Sequence, residues 1–283
     1  MFYVNDHIPS RQILLERKSP HRTVDLEDLT GNWEAQLIRQ DGILLWIDDR
    51  LDTDVRHSEK VKAAGIPLVT FDDRGTGAEL ADMHIAALAF DAQERLAGGK
   101  LLRGADYLIL NPQIADYRRL RKRLSSILVT LGGSDTYGVT VKVVRLLKGM
   151  GLAATIVIGP AFMHNDLLEH ELTPAFTVKR GIPSLIEEFA RHDLAITGGG
   201  ITPFEANASG LPCVVIANER FEIPVGQALQ SLGGSVFAGS HEALTAPLFS
   251  MDLPLERMSG AGMNNIGLQG TQRVISALLE LTE

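Results

Sequence analysis

Three consecutive glycines stand between an apolar run and a helix-start signal in the string Asp193-Leu-Ala-Ile-Thr-Gly-Gly-Gly-Ile-Thr-Pro-Phe-Glu205. Thr202 and Glu205 have capping-box spacing, in which the Thr hydroxyl meets the N3 amide and the Glu reaches back, and Pro203 suits the first helical position. Such a cap accounts for the helix start but leaves Gly198, Gly199 and Gly200 unexplained. Glycine loses more conformational freedom on folding than any other residue, so it is kept where backbone turns left-handed or approaches something closely. At the amino end of a helix that something is often a phosphate, attracted by free N–H groups and the helix dipole.

A second loop of the same form lies in Ile127-Leu-Val-Thr-Leu-Gly-Gly-Ser-Asp135, with a helix expected from about Gly138. Its plain reading is a tight turn capped by Ser134. The alternative makes Gly132, Gly133, Ser134 and Asp135 ligand contacts. Neither loop fits G-x-G-x-x-G or the Walker pattern, so no nicotinamide or ATP motif is present and no cofactor is expected. Two glycine loops at the carboxyl ends of strands reinforce each other, because open α/β sheets bind ligands at that edge.

Acidic pairs recur at Asp48-Asp49, Asp52 with Asp54, and Asp72-Asp73. Asp48 and Asp72 follow apolar runs and are expected to face a cleft between domains, where they could orient a sugar or hold a divalent cation through oxygen. Turn formation at strand ends is the plainer account, and no metal site is expected. The eight histidines include no H-x-x-x-H pair. The single cysteine, Cys213, sits in Leu-Pro-Cys-Val-Val-Ile, which reads as a buried strand and excludes a disulfide framework.

The elements that would position these residues alternate along the chain. Short β-branched runs occur at 2–4, 22–24, 43–47, 68–71 and 84–88, with helices expected near 10–18, 31–40 and 54–64. The pattern returns at 127–131, 155–158, 176–179, 194–197, 213–217 and 235–238, with helices near 138–149, 183–191, 203–209, 224–232, 241–248 and 265–281. This is the order of an α/β protein with mostly parallel sheets. Residues 111–126 read as the join between two Rossmann-like domains, 1–122 and 123–283, facing a cleft. Arg118 to Arg123 read as the solvated face of a linker helix.

With 27 basic against 35 acidic residues and a net charge of −8, the chain has no cluster suited to a nucleic-acid backbone. The first six residues lack signal-peptide features and no apolar stretch is long enough for a membrane span, so a cytoplasmic protein is expected.

Leu-Gly-Gly-Ser-Asp at 131–135, Thr-Gly-Gly-Gly-Ile-Thr-Pro-Phe-Glu at 197–205, Gly-Leu-Pro at 210–212, Phe-Asp-Asp at 71–73 and Gly-Ala-Asp-Tyr-Leu-Ile-Leu-Asn-Pro at 104–112 form a recognisable set. With them the chain resembles the PseG/SpsG family of nucleotide-sugar hydrolases, which have the glycosyltransferase-B (GT-B) fold and are similar in turn to MurG. The resemblance implies that Gly199, Gly200, Ile201 and Thr202 meet a pyrophosphate and that Glu205 holds ribose hydroxyls. It further implies that backbone near Ile182 touches the base and that Gln227 makes a polar contact to phosphates or sugar. Many members have Ala-Gly-Gly-Ser-Thr where this chain has Gly198-Gly-Gly-Ile-Thr202, which removes one hydroxyl donor.

The family opens with a strand, a G-x-G-H-x-x-R loop and a helix, none of which occurs here, so no catalytic residue is assigned. A Rossmann-like sheet without its first β-α unit is expected to split into two half-sheets with exposed edges, which invite pairing with another copy or a partner chain. A start farther upstream, a strand supplied by a partner, and a rearranged non-catalytic domain all remain open. The leading expectation is a hydrolase of UDP-sugars in the synthesis of surface or spore-coat polysaccharide or of a pseudaminic-type nonulosonic acid. The alternatives are a GT-B glycosyltransferase and a binding or assembly protein that holds a nucleotide sugar without cleaving it.

Overall fold

Short β-branched segments flanked by glycines and amphipathic stretches build parallel sheets in a computed structural model that describes residues 1–91, 93–244 and 253–282. Contacts divide the chain into two units, Met1–His84 with Leu96–Leu101, and Ile85–Arg95 with Leu102–Leu281. The sequence draws this boundary at 122/123, whereas contacts group residues 85–95 and 102–122 with the second unit.

The first unit begins β1 (Phe2–Val4), α1 (Ile8–Glu16), β2 (His21–Thr23), α2 (Trp33–Asp41) and β3 (Trp46–Asp48). It continues through α3 (Val55–Ala63), β4 (Leu68–Phe71), β5 (Met83–Ala86) and β6 (Lys100–Arg103), the last two strands running on into the second unit. β1 pairs in parallel with β2, and β3, β4, β5 and β6 form a separate sheet in that order. Two separate sheets are thus present among the described residues, as the sequence leads one to expect. Ile38, Trp46, Val61 and Leu68 make the core beneath β3 and β4. Phe2, Ile8, Ile13 and Leu15 remain exposed.

The second unit contains β7 (Ile127–Thr130), α4 (Val139–Gly149), β8 (Ala154–Ile158), α5 (Asn165–Glu171), β9 (Phe176–Arg180), α6 (Ile186–Arg191) and β10 (Leu194–Thr197). α7 (Thr202–Ala208), β11 (Cys213–Ala217), α8 (Glu222–Ser231), β12 (Ser235–Ser240), α9 (Leu255–Asn265) and α10 (Gly270–Leu279) complete it. Its sheet runs β12-β11-β10-β7-β8-β9 with every pair parallel. The chain winds outward from β7 to β9, returns to the other side of β7 at β10, and winds outward again. That is the doubly wound Rossmann order, with its reversal between β7 and β10. All residues of β7, β10 and β11 are buried, as expected of strands covered on both faces. Val139, Val143 and Leu147 of α4 pack on one face, and Phe204 and Leu229 of α7 and α8 belong to the core on the other. Cys213 is fully buried, and burial pushes its thiol pKa up.

The join departs from expectation, because residues 118–126 form no helix and, although Arg118 and Arg123 are exposed, Arg119 is half-buried and Arg121 buried. Arg121 is fully buried, with Nη2 donating to Phe189 O at 2.6 Å and Nη1 to Arg119 O at 2.7 Å and to Ser209 O. Arg118 Nε donates to Ala208 O at 2.8 Å, and Arg119 Nε to Ala190 O at 2.9 Å. The guanidinium groups satisfy carbonyls that the ends of α6 and α7 leave without intrahelical partners. Burial, reinforced by the neighbouring Arg119, lowers the pKa of Arg121 to about 10. Of the helix expected near 241–248, residues 245–248 lie outside the described residues.

Candidate functional site

Thr130 at the end of β7 is in register with Thr197 at the end of β10. The two glycine loops therefore leave the same sheet edge side by side, at the strand-order reversal. A third loop joins them. Asn218, the residue after β11, donates Nδ2 to Leu131 O at 3.2 Å and its backbone N to Glu222 Oε2 at 2.7 Å. Gly199 N donates to the same Glu222 oxygen at 3.2 Å.

These ties account for part of the glycine run. A Cβ at Gly198 would lie 2.8 Å from Asn218 Nδ2, and one at Gly199 would lie 2.6 Å from the Glu222 Cβ. Around Gly200 nothing lies within 4 Å. Gly198 and Gly199 are thus explained by internal packing, and Gly200 is the glycine that faces open space. Thr197 Oγ1 and Asn218 Oδ1 are buried at this junction without a hydrogen-bond partner among the described residues.

The capping box does not form. Ile201 is the N-cap residue and already has helical angles, φ −75° and ψ −27°, and its carbonyl accepts from Phe204 N and Glu205 N. A side-chain cap needs an extended N-cap residue, so Thr202 falls inside the first turn and Pro203 becomes its second residue. Glu205 is consequently free of a capping role. Its carboxyl group is half-buried, has no hydrogen-bond partner among the described residues, and is pushed up in pKa by burial.

In the other loop Gly132 has φ +97°, a left-handed conformation that favours glycine. Gly132, Gly133 and Ser134 are exposed. Ser134 is not the cap of α4. Asp135 performs that task, accepting from Val139 N at 2.7 Å and Thr140 N at 2.8 Å. Its carboxylate is buried and engaged, so it shapes the loop.

Ile182 is half-buried after Gly181, beyond β9 at the sheet's far edge. Gln227 is exposed on α8, where it lines an open hollow with Phe90, Asp91, Pro224 and Ser231.

In the first unit, Asp48 is in the core, which corrects its expected place facing a cleft. Trp46 Nε1 donates to Asp48 Oδ1 at 3.0 Å, and His57 Nε2 lies 3.2 Å from both Asp48 oxygens. His57 Nδ1 lies 3.0 Å from Glu34 Oε1, so one buried ring bridges two carboxylates. Burial alone would lower the His57 pKa, but hydrogen bonds to Asp48 and Glu34 and their charges raise it to about 9. Asp72 is half-buried with φ +46°, and its carbonyl accepts from Arg74 Nη1 at 3.1 Å. Its neighbour Asp73 holds the turn, accepting from Thr53 N, Gly75 N and Thr70 Oγ1. No group of three or more His, Cys, Asp or Glu among the described residues could hold a metal ion.

Sequence reasoning passed over Asn218 and Glu222. The available signal was the polar run Asn-Glu-Arg-Phe-Glu directly after the apolar run 213–217, at the same sheet edge as the glycines.

No protein-family model matches the chain. The spore coat polysaccharide biosynthesis protein SpsG of Bacillus subtilis (strain 168) is 26% identical over 190 residues, which cover 62% of this chain and 56% of SpsG. The chain is a homologue of SpsG. The alignment spans little more than half of that protein's length. MurG of Acinetobacter baumannii superposes with a TM-score of 0.66 at 15% identity, covering 95% of this chain and 88% of MurG. The UDP-GlcNAc 2-epimerase from Neisseria meningitidis, solved with UDP-GlcNAc bound, gives 0.65 at 14% identity over 98% of this chain and 90% of the epimerase. The fold of the SpsG homologue is α/β with parallel sheets and of the GT-B type. No helix among its described residues is long and apolar enough to cross a membrane.

Proposed function

We propose that this SpsG homologue binds a nucleoside-diphosphate sugar, of the UDP-sugar class, at the β7/β10 reversal of its second unit. The observation that carries this reading is the juxtaposition of two glycine loops, one exposed at 132–134 and the other half-buried at Gly200, at a switch point, the place where doubly wound sheets bind ligands. Gly200 offers close backbone approach to a diphosphate, and the uncommitted Glu205 carboxylate suits a pair of ribose hydroxyls. Ile182 backbone would meet the base, and Gln227 the phosphates or sugar.

The reaction that fits is hydrolysis, in surface or spore-coat polysaccharide or nonulosonic acid synthesis. Water displaces the nucleoside diphosphate from the sugar, and backbone N–H groups stabilise the developing phosphate charge. Likeness to MurG favours glycosyl transfer as a second reading, with a hydroxyl acceptor in place of water.

Incubation with UDP-GlcNAc separates the outcomes. Free sugar with UDP supports hydrolysis, and UDP released only with an added acceptor supports transfer. Calorimetric binding without release over long incubation supports a binding protein. If neither UDP nor UDP-GlcNAc binds, the reading is overturned. Gly200→Val should fold normally, since nothing crowds that position, yet lose UDP binding by at least about tenfold, roughly 1.4 kcal/mol.

A further inference from the structure

Glu222 places a negative charge where the three loops of the candidate site converge. Its Oε2 takes N–H groups from Asn218 after β11 and Gly199 after β10, at 2.7 and 3.2 Å. Asn218 in turn reaches Leu131 after β7. Paired backbone N–H groups of this kind bind anions, and a carboxylate oxygen presents the same acceptor chemistry as a phosphate oxygen. Gly199 is moulded to this arrangement, since a Cβ there would strike the Glu222 Cβ.

Building on the nucleotide-sugar reading, we infer that the Glu222 carboxylate is an internal competitor for the diphosphate, occupying its backbone donors until the ligand displaces it. Glu222 then acts as a regulator of the site, not as a contact to substrate. Two consequences distinguish it from a merely structural hydrogen bond. Removing the charge strengthens ligand binding, because the diphosphate no longer competes with a resident anion. Binding also takes up protons, because a carboxylate pushed off its donors beside a diphosphate is more stable protonated. The charged group facing Glu222 is Glu219, which accepts from Tyr137 Oη at 3.5 Å and reinforces the repulsion. Burial already holds the Glu222 carboxyl above its ordinary pKa, and the charge of Glu219 adds to this, while N–H groups of Asn218, Gly199 and Glu219 oppose it.

The test is calorimetry of UDP-GlcNAc binding to the full chain and to Glu222→Gln, between about pH 5 and pH 8, in two buffers of different ionisation enthalpy. The two phosphates of this ligand are both esterified and do not titrate in that range, so proton uptake reports on the protein. The expected result is affinity that rises as pH falls and net proton uptake by the wild type. In Glu222→Gln, affinity should be about tenfold higher with the uptake abolished. Binding to Glu222→Gln alone would also support the inference. Binding by the wild type without proton uptake overturns the competitor and leaves the nucleotide-sugar reading intact, even if the variant fails to fold. Equal or weaker binding by a folded variant has the same meaning. Absence of binding to both proteins overturns both.

Discussion

At the scale of the residue, two carboxylates expected to meet ligand are drawn into the protein itself. Asp135 caps α4, so Asp135→Ala should lower stability by about 1–2 kcal/mol, read as a shift in the urea midpoint. Asp48 is held by His57 and Trp46. Because the His57 pKa is raised from 6.5 to about 9, its contribution to stability is fully present below about pH 6.5 and is lost as pH rises through about 9. That contribution is roughly 3 kcal/mol. Thermal melts should show the first unit weakening over this window. His57→Gln should be less stable at pH 6 and show a flatter profile between pH 6.5 and 9. A midpoint of the wild type that does not fall in this window would contradict the charged bridge.

At the scale of the element, the strands of the second unit were legible because Val- and Ile-rich runs bounded by glycines have few other solutions. Runs expected at 194–197 and 213–217 coincide with β10 and β11. Less regular elements were missed. β6 is Lys-Leu-Leu-Arg, without a β-branched residue, and α9 carries two glycines within Leu255–Asn265. The glycine loops were visible, but not the reason for Gly198 and Gly199, which depends on residues about 20 positions later and on the order of strands. Arg119 and Arg121 were misread for the same reason: charge in a sequence suggests solvent until the carbonyls it will meet are known. Arg121→Met should strand the carbonyl of Phe189, leave that of Ser209 with Arg119 N alone, and cost about 2–3 kcal/mol by chemical denaturation. Arg121→Lys should recover little of this, because an ammonium cannot reproduce the guanidinium fork.

At the scale of the whole molecule, the two units are built on different principles. The second has an unbroken six-stranded ladder, and the first has two sheets that share no backbone hydrogen bonds among the described residues. Residues 1–24 are attached to the rest of their unit through side chains. Tyr3 Oη donates to Asp41 at 2.5 Å, Arg22 pairs with Asp41 at 2.7 Å, and the Tyr3 ring stacks on Trp46 at 5.5 Å. Burial and then the Asp41 carboxylate push the Tyr3 pKa up to about 12, so the phenol remains a donor across the ordinary pH range. Amide exchange should be fastest in residues 1–24 and slowest in β7, β10 and β11. Asp41→Asn should speed the former without affecting the latter. A ladder gives way rung by rung, but a seam closed by the Asp41 carboxylate, one ring stack and the Asn5 side chain, which accepts from Leu26 N at 2.9 Å, opens all at once. The first 24 residues are therefore expected to swing free as a single flap while the strands on either side of the seam keep their own pairing.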